Sequence, residues 1–223
     1  AIAAGTYYEH SLEIGEKVEG FDLFIFGETD ADGMPAVTID AQQQGRVFTL
    51  SGLYDAEIRL YNLVITGGGN VDKGGGILSS YGLRLENCTI AGNTATQEGG
   101  GLWNSGIEDS LWSGLTFNDC RIMDNSAPKG GGVWMFYTFG DFFDCIISNN
   151  SADVGGGLVI SHQAADLTDC VVCGNDSTDG NQIAGPWDSH GGTCLSALCS
   201  DDDGDGVPDS CLTDADGILH VPD

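Results

Sequence analysis

The chain has 223 residues and a net charge of −27, from 34 acidic against 7 basic side chains. That balance excludes nucleic acid as a partner, because neutralising phosphates needs clustered Lys and Arg, and no apolar run reaches the ~20 residues of a membrane-crossing helix. Glycine is the outlier, with 35 residues against five prolines and no collagen period, which predicts a fold of many tight turns.

At the N-terminus, Ala1-Ile2-Ala3-Ala4 is too short for the apolar core of a secretory signal. Eight cysteines suit an oxidising compartment better than a reducing cytosol. Together these read as a mature exported chain, extracellular or at a cell surface, with its leader already removed. Self-repulsion at this charge is relieved by divalent cations or salt.

From Leu60, Leu63 and Ile65 onward the sequence repeats. Glycine triplets stand at Gly74-Gly76, Gly99-Gly101, Gly130-Gly132 and Gly155-Gly157, in steps of 25, 31 and 25 residues, each followed by an apolar pair. Cys88, Cys120, Cys145 and Cys170 keep the same beat. Ile90, Ile122, Ile147 and Val172 lie two residues after them, and Asn93, Asn125, Asn150 and Asn175 five after. The alternation is short and β-like, with turn residues on both sides and no stretch long enough for an amphipathic helix. A beat of this length is a solenoid signature. Equivalent positions then stack, Cys on Cys and Asn on Asn, with strands ~4.8 Å apart.

The ladder cysteines are expected as small, reduced core fillers. The ladder asparagines are expected in left-handed turns, bonding to one another up the stack. Trp103, Trp134, Phe142 and Phe143 are read as core or stacked-face aromatics rather than a ligand platform. The excess in one coil, Ile107–Trp112, is read as a loop bulging from one corner, where solenoids often bind.

The Gly-Gly-Gly-apolar elements and the Cys-x-Ile-x-x-Asn-x-Ala elements, as in Cys88 to Ala95, resemble the right-handed parallel β-helix repeats of the pectin-lyase-like superfamily. They are especially similar to polymorphic outer-membrane and related surface proteins. The resemblance spans roughly residues 36–175, and Gly5-Thr6-Tyr7-Tyr8-Glu9 looks like the opening of the first coil. It implies an all-β right-handed parallel β-helix of about six to seven coils over residues 1–175. The lead-in and capping helix common in the family are missing, so the N-terminal end reads as uncapped.

Residues 176–223 lose the beat and are expected to form an irregular, disulfide-tied segment. Asp201, Asp203, Asp205 and Asp209, with Gly206 between, have the oxygen-rich spacing that wraps calcium, though no Glu completes an EF-hand. The segment resembles a thrombospondin type 3 repeat, which implies those four as calcium ligands, with Asp214 and Asp216 beginning a second site. Cys173, Cys194, Cys199 and Cys211 stand off the ladder, and Cys173–Cys194 with Cys199–Cys211 is the favoured of three possible pairings. A zinc site with His190 matches no tight ligand pattern.

Asp119, Asp144 and Asp169 would stack as hydrolases require, but residue 87 in the same frame is Asn, so they read as repeat positions first, able to bind a cation. Arg59 and Arg84 share a frame and should stack outward, with no acid cluster recurring beside them. Thr66, Thr89 and Thr116 share no register, against an ice-binding face. Asn87, Asn149 and Asn175 head glycosylation sequons, with Asn175 on the inner ladder. The leading expectation is therefore a non-enzymatic extracellular structural protein, assembling head-to-tail with itself through uncapped strand edges and stabilised by calcium. The alternatives are a polysaccharide-binding or polysaccharide-degrading β-helix, or part of a larger surface adhesin.

Overall fold

The computed structural model describes residues 1–15, 22–51, 57–80, 82–106, 114–196, 198–200 and 210–211. These residues hold strands and turns with no helix, so none is long and apolar enough to cross a membrane. Three parallel sheets wind about a common core. Sheet I holds eight strands, from Gly5–Tyr7 through Thr89–Ala91 and Arg121–Met123 to Cys194–Ser196. Sheet II holds seven, from Leu12–Ile14 through Leu102–Ser105 and Val133–Phe136 to Ile183–Ala184. Sheet III holds seven, from Leu23–Phe26 through Leu115–Asn118 and Gly140–Phe143 to Trp187–His190. Each coil visits sheet III, then I, then II.

The strands alternate because every second side chain faces the core. Ile65, Ile90, Ile122, Ile147 and Val172 are Cα partners on successive coils and are fully buried. Phe117 stacks on Phe142 with centroids 4.7 Å apart, a contact worth about 0.5–1.5 kcal/mol beyond its buried area. Cys88, Cys120, Cys145 and Cys170 are buried free thiols, as expected. Each directs its sulfur to the carbonyl two residues earlier, as Cys120 Sγ does to Asn118 O at 3.2 Å. Burial raises the Cys120 thiol well above the ordinary range, so it stays protonated.

The corner from sheet III to sheet I turns on one left-handed residue, Asn62, Asn87, Asp119, Asp144 or Asp169, with φ between 48° and 56°. Asn and Asp tolerate this conformation better than most residues. The frame therefore asks for an αL residue, and the aspartates meet that demand, as the repeat position implied.

At the corner from sheet I to sheet II, the left-handed residue is the one before each ladder asparagine: Gly92, Asp124, Asn149 and Gly174. This corrects the expectation for the asparagines themselves, which are absent from the positive-φ set. Their side chains turn inward instead. Asn125 Nδ2 donates to Ile90 O at 2.9 Å and to Asn150 Oδ1 at 3.0 Å, and the Asn125 Oδ1 accepts from both Asn93 Nδ2 and Asn93 N. Asn150 repeats the arrangement onto Asn175, and the Gln182 Oε1 closes the series. A ladder buried this deeply persists because its amides are satisfied.

The glycine triplet completes the corner for two reasons. Gly130 has φ 59°, a conformation that strains a side chain. Gly131 is packed so closely that a Cβ would lie 2.5 Å from both Gly156 O and Ser151 O, which are backbone atoms of the next coil.

The winding continues past residue 175, where the sequence placed a change of domain. Ile183–Ala184, Trp187–His190 and Cys194–Ser196 each extend one of the three sheets. This last coil was hard to read because it is shorter and carries no triplet. The Cys173–Cys199 disulfide, with Cα atoms 5.2 Å apart, then ties the antiparallel pair Cys199–Ser200 and Ser210–Cys211 to the end of sheet I. The expected Cys173–Cys194 and Cys199–Cys211 pairing is thus corrected. In the sheet ladder Cys194 sits beside Val171 while Cys173 sits beside Ser196, and Cys194 is itself disulfide-bonded.

Candidate functional site

The outer face of sheet III carries two columns of side chains, one step per coil. The first runs Phe24, Arg59, Arg84, Thr116, Asp141, Asp166, Asp188. The second runs Phe26, Tyr61, Glu86, Asn118, Phe143, Thr168, His190. Arg59 and Arg84 do stack as Cα partners, as their shared frame predicted.

The N-terminal end of this face is internally paired. Phe26 stacks on Tyr61 at 4.4 Å, and the Arg59 guanidinium lies 5.0 Å over Phe24. Arg59 also meets Glu57 at 2.5 Å and Asp22 at 3.1 Å. Little there is left for a ligand.

The C-terminal end is different. Asp141, Asp166 and Asp188 occupy consecutive strands, so their Cα atoms are stepped by ~4.8 Å. Burial, reinforced by the neighbouring Asp166 carboxylate, raises the Asp141 carboxyl above its usual range. His190 Nε2 lies 3.7 Å from Asp166 Oδ1. Phe143, 37% exposed, stands beside the acids on the same strand as Asp141.

The corner from sheet II to sheet III flanks the acids on the other side. Tyr137 (φ 51°) and His162 (φ 82°) are both left-handed, an outlier conformation for bulky residues. Their rings stack with centroids 3.9 Å apart, and Phe136 meets both edge-on at 4.6 and 5.0 Å. Ser161 Oγ lies 2.8 Å from His162 Nδ1. Phe139, between Tyr137 and the Asp141 strand, is 52% exposed. Tyr137 and His162 each precede an acid of the column by four residues. Two carboxylates, one inclined to hold its proton, are thereby set between aromatic surfaces.

Sequence reading passed over these acids. Arg59 and Arg84 were recognised by counting back four residues from the core frame. The same count from Cys120, Cys145 and Cys170 lands on Thr116, Asp141 and Asp166. Asp188 breaks the beat because its coil is short. Asp119, Asp144 and Asp169, the acids whose stacking the repeat frame made visible, sit exposed at the neighbouring corner. Phe143, expected in the core or a stacked face, is an exposed member of the site, whereas Phe142 is fully buried.

Trp103 and Trp134 are Cα partners on the outside of sheet II. Lys73 Nζ lies 4.6 Å over the Trp103 ring and Lys129 Nζ 5.4 Å over that of Trp134. Glu98 meets both ammonium groups, at 2.9 and 3.7 Å, and accepts a bond from Trp103 Nε1. Burial alone would raise Glu98, but the hydrogen bond and charge of Lys73 overcome it and lower its carboxyl. These tryptophans form a stacked face, as expected.

Thr66, Thr89 and Thr116 share no register. Of the sequon asparagines, Asn87 already donates to Gly33 O and Asn62 Oδ1, and Asn175 is buried, while Asn149 is exposed. The proposed calcium ligands Asp201, Asp203, Asp205, Asp209, Asp214 and Asp216 lie outside the described residues, as does the Ile107–Trp112 loop. Among the described residues no group of three His, Cys, Asp or Glu is placed to hold a metal ion.

Comparison with known proteins gives one family match: the right handed beta helix region matches residues 37–196. No curated protein matches the chain. Among solved structures, the chain is similar to the pectin methylesterase from Aspergillus niger in deglycosylated form. The TM-score is 0.43 at 15% identity, covering 90% of this chain and 77% of that one.

Proposed function

Starting from a chain that belongs to the right-handed β-helix family, we propose that it is an extracellular glycan-binding protein that cleaves glycosidic bonds on the outer face of sheet III. The observation that carries this reading is the Asp141–Asp166 pair, one carboxyl raised by burial and by its neighbour, set between exposed aromatic rings. A carboxyl inclined by burial to hold its proton, beside a second carboxyl, is the arrangement that acid-assisted glycoside hydrolysis uses.

In this reading Asp141 donates its proton to the leaving glycosidic oxygen as the carbon–oxygen bond breaks. The Asp166 carboxylate attacks the anomeric carbon, and water, deprotonated by Asp141, then releases the sugar. The ~4.8 Å strand step falls close to the separation of about 5 Å between carboxyls in retaining enzymes. Phe139, Phe143 and the Tyr137–His162 stack supply apolar surface for sugar faces. The test is release of new reducing ends from a panel of polysaccharides. A protein that binds and cleaves none of them, or whose Asp141→Asn and Asp166→Asn variants cleave as well as wild type, overturns the proposal.

Self-association is a second reading, favoured by one observation. Gly5–Tyr7 and Leu12–Ile14 are each at the end of a sheet, with a strand partner on one side only among the described residues, whereas Ile2 N donates to Phe26 O beside Leu23–Phe26. Such edges add strands from another chain. Calcium held by the 201–216 acids would support a head-to-tail polymer by screening charge. Light scattering with and without a chelator decides it: a monomer in millimolar calcium ends this reading.

A further inference from the structure

We infer that the glycan taken by sheet III is a polymer of amino sugars carrying free ammonium groups. This deepens the function proposed above and rests on it.

The first observation is charge. Beyond Lys129 the chain has sixteen aspartates and no lysine, arginine or glutamate. On the last coils these acids form two rows. Asp141, Asp166 and Asp188 make one, on the sheet. Asp119, Asp144 and Asp169 make the other at the adjoining corner, three residues along each strand and so ~10 Å away. The Phe143–Thr168–His190 column runs between them.

The second observation is that these carboxylates are largely unanswered. Among the described residues only Asp166, facing His190, and Asp169, accepting from Gly192 N, have a hydrogen-bond or ion-pair partner. Asp119, Asp144 and Asp188 have none, so a cationic ligand meets them without breaking an internal pair.

The third is shape. Phe139 and Phe143 are exposed on either side of the inner row, with Phe143 between the two rows. A bare cation would use the acids and leave the rings idle. A uronate polymer would use the rings and be repelled by the acids. A sugar ring bearing an ammonium uses both, stacking its apolar face on phenylalanine while its charge meets a carboxylate.

The test compares three polymers of matched length on the full chain: N-acetylglucosamine, glucosamine and galacturonate, with polylysine as a cation without sugar rings. The expected result is glucosamine bound about tenfold or more tighter than its acetylated form at ~50 mM salt, with the preference shrinking at ~500 mM. Polygalacturonate and polylysine should bind more weakly than glucosamine polymer. The double variant Asp119→Asn, Asp144→Asn should cut the glucosamine preference severalfold, and Phe143→Ala should weaken both glucosamine forms alike. Equal or tighter binding of the acetylated, uronate or polylysine probe overturns the inference while leaving glycan cleavage standing. Failure to bind or cleave any sugar polymer overturns the underlying reading as well.

Discussion

The corner between sheets I and II and the outer face of sheet III are built from the same coils under opposite rules. At the corner successive coils set asparagine over asparagine, because the amide of Asn125 must meet Asn93, Asn150 and Ile90 at fixed distances. On the face the side chain changes from coil to coil, from Phe24 and Arg59 at one end to Asp166 and Asp188 at the other. In a solenoid, sameness marks what holds the stack together, and departures from it mark what the molecule presents outward. Function on this scaffold belongs to sites set on the fold rather than to the fold.

The strongest way to break this comparison is at the glycines. Gly131→Ala places a methyl against two backbone oxygens that cannot yield, and should cost upwards of about 4 kcal/mol in urea unfolding. A loss below ~1 kcal/mol would mean the coils separate easily there. Next, Asn125→Ala strands the Ile90 carbonyl and the Asn93 amide donors in the core and should cost about 3 kcal/mol, again by denaturant midpoint.

On the face, Asp141→Asn should act on rate instead. A hundredfold loss in glycan cleavage, about 2.7 kcal/mol of barrier, is the expected scale for a missing proton donor. Its effect on stability has the opposite sign. The folded chain holds the Asp141 proton more tightly than the unfolded one does, so its contribution to stability is complete at low pH. That contribution is lost as pH rises through the raised folded value. The Asn variant should therefore unfold later than wild type at neutral pH and no later below about pH 3, as read by thermal melts across pH. The smallest effect is expected at Asp144→Asn. The frame needs only a residue that tolerates φ near 52°, and Asn already serves at position 87, so stability should change by less than ~0.5 kcal/mol.

Much of the fold was legible in sequence because a stacked coil constrains every layer alike. The Cys–Ile–Asn frame named the core and both ladders before any coordinates, and the Gly triplets marked the tight corner. The left-handed residue was misplaced by one position, since spacing alone does not distinguish an asparagine that turns the chain from one that bonds inside the turn. The end of the winding was misplaced as well, because the coil closing at Cys194–Ser196 keeps the register while changing its length and its marker residues. The disulfide eluded spacing because adjacency of Cys173 and Cys199 depends on how the chain folds back over sheet I.

The acids at Asp141 and Asp166 were present in the same frame as the arginines, yet frame alone assigned them no weight. Only the folded chain adds the aromatic corner of Tyr137 and His162, the exposure of Phe139 and the raised carboxyl of Asp141. The sequence by itself determined a β-solenoid with stacked cysteine and asparagine ladders, because periodic burial and turn chemistry are written locally and repeat. Tertiary structure decided the rest: which carboxylates face one another, how far each is buried, and which cysteines meet. Those depend on neighbours a full winding away, whose distance is set by the stack and not by the chain.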